Sequence, residues 1–282
     1  MRSLLIVALS FCALGSKSFA QEIDAQTNGK YTSSNKGKFY IYWGGNREKY
    51  SDSDIEFRGA DYNFTLHNVQ AVDKPKGWHL DYFNPSRMTI PQTNFRIGYF
   101  ITDKYNISIG VDHMKYVMLQ DKVVNYTGNY PDRGIYGEAV ANGQVLLTED
   151  FLTFEHTDGL NYINTEFSRV DDISSKLFKT WNSDKFQINV TEGIGVGFLY
   201  PKTNSKLLGK QRHDDFHIAG YGLSAKVGLN FTFFKHYFIQ TELKGGYINM
   251  NDIRTTHDPA DRASQDFWFA QSVIAVGGIF KL

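Results

Sequence analysis

Three short stretches combine histidine with carboxylates: His156 with Asp158, His213 with Asp214 and Asp215, and His257 with Asp258 and Asp261. An imidazole beside a carboxylate can hold a divalent cation or act as an oriented general base. His213, Asp214, His257 and Asp258 are the candidate metal ligands on that reasoning. None has a tight ligand spacing, and Asp is common in loops because its side chain caps turns. A second set of charges stands singly among apolar and small residues: Arg96, Asp112, Glu166, Lys226, Glu242 and Lys244. Three are cationic and three anionic, and the chemistry they suggest first is mutual neutralisation in an enclosed space, because buried charges need partners.

These charges sit on segments that alternate with period two. Strand candidates run over 38–47, 93–102, 104–118, 159–170, 185–199, 216–233, 236–250 and 266–282, eight in all. Extended-looking segments at 54–69 and 144–156 make ten the competing count, and 171–182 could hold one helical turn. Tight connections (ITDKYN at 101–106, FFKHYF at 233–238) alternate with long polar ones at 48–92, 119–158, 200–215 and 251–265.

Register tests whether neighbouring strands share faces. Pairing Ile101 with Tyr105 sets Phe95, Ile97 and Tyr99 beside Ile107, Ile109 and Val111, with Arg96 diagonal to Asp112. Pairing Phe233 with Tyr237 sets Leu223, Val227 and Leu229 on the face of Ile239 and Leu243, with Lys226 diagonal to Glu242. The polar faces carry only one or two charges per strand among Gly, Ser, Thr and Asn. That pattern suits a narrow lumen in which charges pair, whereas a sheet face in bulk water would carry many more. The stretch FQINVTEGIGVGF (186–198) breaks the rule once, because Glu192 falls on the apolar face between Val190 and Ile194. A bulge at Gly193 or Gly195 would turn it inward, and that is the expectation carried forward.

The chain has 282 residues, 15% aromatic, with 25 glycines, six prolines and one cysteine. Residues 1–20 read as a secretory leader: Arg2, an apolar core LLIVALSFCALG, and small Ser18 and Ala20 at the cleavage site. Cys12 would leave with it, so no disulfide or thiol chemistry is expected. Loss of Arg2 and Lys17 takes 30 basic residues to 28 against 30 acidic, which disfavours nucleic acid as a partner. No apolar run of eighteen residues follows position 20, which excludes a helical span but not a membrane barrel.

The leader, the hairpin IGYFITDKYNISIGVD and the terminal strand FWFAQSVIAVGGIFKL together resemble small bacterial outer-membrane β-barrel proteins of the general OmpX or OmpW type. In the last strand Trp268, Ile274, Val276, Phe280 and Leu282 share a face; that family usually ends in an aromatic residue, where this chain has Leu282. The resemblance implies an all-β, antiparallel up-and-down transmembrane barrel over 38–282. A leader (1–20) and an N-terminal extension (21–37) would precede it, with short turns in the periplasm and long loops outside a Gram-negative cell. It implies no cofactor. The expected role is an envelope or surface-binding protein with a side-chain-filled lumen, in contact with lipopolysaccharide and, through its loops, with an extracellular ligand. The aromatic stretches KPKGWHL (74–80) and DYFNPSRM (81–88) could make such contacts or pack at the membrane interface.

Two alternatives stand beside it, a narrow solute channel and a lipid-modifying enzyme. FEHTDGLN (154–161) is similar to the His-x-Ser-Asn stretch of outer-membrane lipid A deacylases, whose serine is the nucleophile. That similarity would make His156 the base and Glu166 its acidic partner, but Thr157 and Asp158 follow His156, and no serine stands at the nucleophile position.

Overall fold

The computed structural model describes residues 34–281 apart from 76, 78–90, 138, 139, 142, 179–181, 183, 184, 211, 213 and 214. The leader, the stretch 81–88, most of 74–80, His213, Asp214 and Leu282 therefore lie outside the described residues.

Eight strands close into a ring: β1 (Phe39–Tyr50), β2 (Thr93–Phe100), β3 (Tyr105–Met114), β4 (Leu160–Asp172), β5 (Phe186–Leu199), β6 (Gly220–Phe233), β7 (Tyr237–Arg254) and β8 (Arg262–Phe280). Each pairs antiparallel with its sequence neighbour, and β1 pairs with β8 from Phe39↔Phe280 to Tyr50↔Phe269. Following the register once round the ring leads from Phe39 to Lys49 of the same strand, a stagger of ten residues. Eight strands so staggered tilt steeply and enclose a space just wide enough for side chains.

The two tight turns hold the expected register. Ile101 N–H donates to Tyr105 O at 2.9 Å, while Thr102 Oγ1 accepts from the backbone of Lys104 and Tyr105. Phe233 pairs with Tyr237 across a turn that puts Phe234 and Lys235 in the left-handed region, at φ 51° and 68°. The connection from β4 to β5 opens with one helical turn, α1 (Ser174–Leu177).

Alternation then sorts the faces. Ile107, Ile109, Ile194, Val196, Leu223, Val227, Leu243 and Ile274 are exposed on the outer wall. Tyr105 and Tyr237 flank this apolar belt at the turn end, and Tyr221, Tyr247 and Trp268 flank it at the loop end. A closed ring, apolar outside and polar inside, with interfacial aromatics, short turns at one end and long connections at the other, is an outer-membrane β-barrel.

The ten-strand count is not realised. The segments 54–69 and 144–156 are extended, but they build strands above the ring. β8 begins beyond the reach of β1, and its free edge at Arg262–Gln265 pairs with Ser53–Arg58 instead. That strand starts a sheet continuing through Asn63–Val69, Val123–Asn129 and Gln144–Leu146. A second sheet runs Asn204–Leu207, Leu152–Glu155, Val117–Met118 and Ala71–Val72. Aromatic side chains of these elements interlock: Phe57 stacks on Phe64 at 5.2 Å and meets Phe154 edge-on at 5.6 Å, while Phe151 lies 5.6 Å from Phe64 and 5.0 Å from Tyr130. The long connections, expected as polar loops, thus form a cap with its own apolar core. That core continues down onto Met114, Leu160, Tyr162, Leu199, Ile248 and Phe269 at the upper ends of the ring strands.

Candidate functional site

The lumen side chains come from alternate positions of β2, β3, β4, β6 and β7. Small residues between them leave room: a Cβ on Gly98 would sit 2.1 Å from the Tyr40 ring, and one on Gly195 2.7 Å from Ser224 Oγ and 3.0 Å from Glu166 Cγ. Arg96, Asp112, Glu166, Lys226, Glu242 and Lys244 all point inward and meet. Lys226 Nζ lies 2.6 Å from Glu166 and 2.9 Å from Glu242; Lys244 Nζ lies 2.6 Å from Asp112 and 2.8 Å from Glu166. Arg96 Nη2 reaches Asn164 Oδ1 at 2.8 Å, Glu166 at 3.0 Å and Asp112 at 3.5 Å, while Nε donates to Tyr42 OH and Nη1 to Ser108 Oγ. Every cation therefore faces at least two carboxylates, and every one of the six residues is at most 6% exposed. Buried ions are tolerated on those terms, since each keeps charged or hydrogen-bonding partners in place of water.

Packed side chains flank the cluster at both ends. Toward the turns, Asn189, Asn230, Thr232 and Gln240 bond one another above the aromatic group of Tyr40, Tyr42, Phe100 and Phe238. Toward the outside, Tyr162 OH donates to Gly222 O at 3.1 Å and its ring meets Phe269 edge-on, under the cap's core.

His156 and Glu166 belong to these two different interiors and form no dyad. His156 is wholly buried in the cap, 5.6 Å from the Tyr116 ring and 5.0 Å from the Phe154 ring, with Nδ1 3.0 Å from Thr203 Oγ1. Burial alone pushes its pKa from 6.5 down to about 3. The Thr157 hydroxyl donates to Glu155 Oε1, and Asp158 lies 3.6 Å from Lys202. An imidazole so enclosed presents no accessible base.

The other candidates among the described residues are likewise dispersed, with His213 and Asp214 lying outside them. Asp258 Oδ1 accepts from the Ala260 backbone, which is turn capping. Asp261 is buried, 3.2 Å from Lys210 Nζ and 2.6 Å from Thr256 Oγ1. Among the described residues no group of three or more His, Cys, Asp or Glu side chains gathers to hold a metal ion.

Glu192 does not turn inward. β5 pairs with β4 and β6 without a register shift, so no bulge forms and the carboxylate stays on the outer wall, 61% exposed. Its cross-strand neighbour is Arg169, with Nη1 3.7 Å from Glu192 Oε1. Arg169 Nε lies 2.6 Å from Asp171, which in turn lies 3.0 Å from Lys104 in the turn before β3. The partner is thus a cation of the outer wall, and the chain of charges descends to the turn end of the barrel.

No family model and no curated protein sequence matches this chain. Solved structures of similar fold include the outer membrane protein OprG from Pseudomonas aeruginosa, at 10% identity and TM-score 0.39, covering 89% of this chain and all of that one. Neisserial surface protein A is similar at 8% identity and TM-score 0.34, over 86% of this chain and 99% of the other. The attachment invasion locus protein Ail of Yersinia pestis is similar at 9% identity and TM-score 0.30, over 87% and 99% respectively.

Proposed function

We propose that the chain is a non-enzymatic envelope protein whose barrel carries no solute and serves to anchor the folded cap for contacts at the cell surface. The observation that supports this reading is the burial of all six lumen charges, each at most 6% exposed, below ring-strand ends onto which the cap's apolar core packs. A conducting pore needs a wet path, and a surface enzyme of the deacylase kind needs an exposed base and nucleophile. Ordered strands in the cap give a ligand a preformed surface, so binding would not have to order a loop. The chemistry at that height of the membrane makes lipopolysaccharide the first ligand to try.

The test is reconstitution in planar bilayers together with capture of lipopolysaccharide vesicles by the immobilised full chain. We expect no stepwise conductance, and vesicle capture that falls when residues 123–147 are replaced by a short linker. Stepwise conductance by the wild-type protein would overturn the filled-lumen reading. Capture that is unchanged without 123–147 would remove the cap from the function. Altered lipopolysaccharide acylation by mass spectrometry, abolished in His156→Ala, would favour the enzyme instead.

A further inference from the structure

The six lumen charges balance, and just above them lies a carboxylate they leave unmatched. Glu48, near the outer end of β1, is 6% exposed. Its backbone N–H donates to Asp73 Oδ2 at 3.0 Å, and Gln271 Nε2 donates to Glu48 Oε1 at 3.0 Å. The amide nitrogen of Gln92 serves both acids at once, donating to Glu48 Oε2 and to Asp73 Oδ1. Gln92 is wholly buried, and its Oε1 has no hydrogen-bond partner among the described residues. Lys244, two strands away along the same register row through Gln271, has its ammonium on Asp112 and Glu166.

Two carboxylates converging on one amide in an enclosed place repel each other unless a cation lies between them or a proton is shared. A half-turn of the Gln92 amide exchanges its nitrogen and oxygen, which are assigned by their neighbours. Turned so, the unpartnered Oε1 joins the two carboxylates and three oxygens converge. An all-oxygen set with two acidic ligands, and without imidazole or thiolate, selects hard divalent cations; irregular geometry supplied from a strand and two connecting segments suits Ca2+ better than Mg2+.

We propose that Glu48, Asp73 and Gln92 form a Ca2+ site that staples the cap to the barrel wall. Glu48 belongs to the wall, Asp73 directly follows the cap strand Ala71–Val72, and Gln92 immediately precedes β2. The ion therefore ties the middle and the C-terminal end of the 51–92 connection to β1. Asp73 is partly exposed, which gives the ion a way in.

The test is calorimetric titration of the full-length, chelator-treated protein in detergent micelles with Ca2+ alone, alongside thermal melts with and without the ion. We expect saturable binding and a Tm that rises with Ca2+. Glu48→Gln and Asp73→Asn should each weaken apparent affinity by about tenfold or more, while Glu56→Gln, a half-buried acid elsewhere in the cap, should leave it unchanged. Should Glu48→Gln fail to refold, Asp73→Asn carries the same comparison at a partly exposed position. A wild-type protein that binds no Ca2+, or an Asp73→Asn variant that binds it as tightly, overturns the proposal. Melts that respond to pH and not to Ca2+ also overturn it, since a shared proton then joins the two acids.

Discussion

Arg96 and Phe57 are both fully buried, yet one is enclosed by carboxylates, hydroxyls and amides and the other by aromatic rings. The difference follows from what surrounds each layer of strands. The ring is bathed in hydrocarbon, so its apolar side chains already have an apolar environment outside and gain little by turning inward. Period two then sends the polar residues into the lumen, where only mutual pairing satisfies them. The cap is bathed in water, and its strands bury apolar faces against each other as any soluble sandwich does. One chain thus changes the sign of its inside at the level of Tyr162 and Phe269.

The largest effect is expected from unbalancing the ionic interior. Arg96→Met leaves Glu166 and Asp112 short of a cation, and removing one partner of a buried ion pair costs about 3–5 kcal/mol. The loss should appear across the whole barrel, as a lower urea midpoint for heat-modifiable gel migration. A variant as stable as wild type would mean that water reaches the cluster and that the two interiors differ less than they look.

Leu66→Ala addresses the other interior and should cost about 3 kcal/mol through lost burial and the cavity left behind. Here the effect should stay local. Proteolysis and amide exchange should increase within 53–69 and 123–155, while the folded barrel keeps its gel mobility. Loss of the barrel along with the cap would show that the two cores fold as one cooperative unit.

The two regions also differ in how far the sequence exposed them. Phe95 to Val111 and Leu223 to Leu243 can be placed in register because their turns are three residues long, and that register alone puts Arg96 diagonal to Asp112 and Lys226 diagonal to Glu242. The apolar alternation Ile55, Phe57 and Phe64, Leu66 was equally visible. Alternation, however, does not say whether the apolar face meets lipid, another sheet or a ring neighbour, so 54–69 read as one extended segment that, with 144–156, made ten strands the count competing with eight. A signal for the cap was present in the aromatic content of the supposed polar loops, with Tyr62, Phe64, Tyr130, Phe151 and Phe154 outside the eight ring segments. The partner of Glu192 was hidden for a different reason. The connection from 173 to 185 is too long to fix a register, so nothing in the sequence aligned Arg169 with it.

A pH response should separate the two interiors further. The ordinary His pKa of 6.5 falls to about 3 at His156 because burial excludes the charged form. The opened cap takes up a proton that the closed cap refuses, so the cap's stability is complete above about pH 6.5, declines as pH falls through that value, and levels off near pH 3. At pH 5 the loss is about 2 kcal/mol. Amide exchange in the cap should rise between pH 7 and 5 in the wild type and stay flat in His156→Gln. An equal rise in both would assign the acid sensitivity to another group.

The smallest effect is expected at Glu192, where the comparison between inside and outside becomes sharpest. An ionised carboxylate in hydrocarbon is costly even beside a cation, whereas one among headgroups and water is nearly free. Glu192 is connected through Arg169 and Asp171 to Lys104 in the turn, which places the group toward the periplasmic rim. Arg169 also lies nearer to Asp171, at 2.6 Å, than to Glu192, at 3.7 Å, so the outer pair contributes little by itself. Glu192→Leu should therefore shift unfolding free energy by less than about 1 kcal/mol in either direction, read from urea titrations in lipid vesicles. A gain above about 2 kcal/mol would place the carboxylate in the hydrocarbon belt. The outer wall would then carry a buried ion pair of its own, and polarity would no longer divide the lumen from the lipid face at this level.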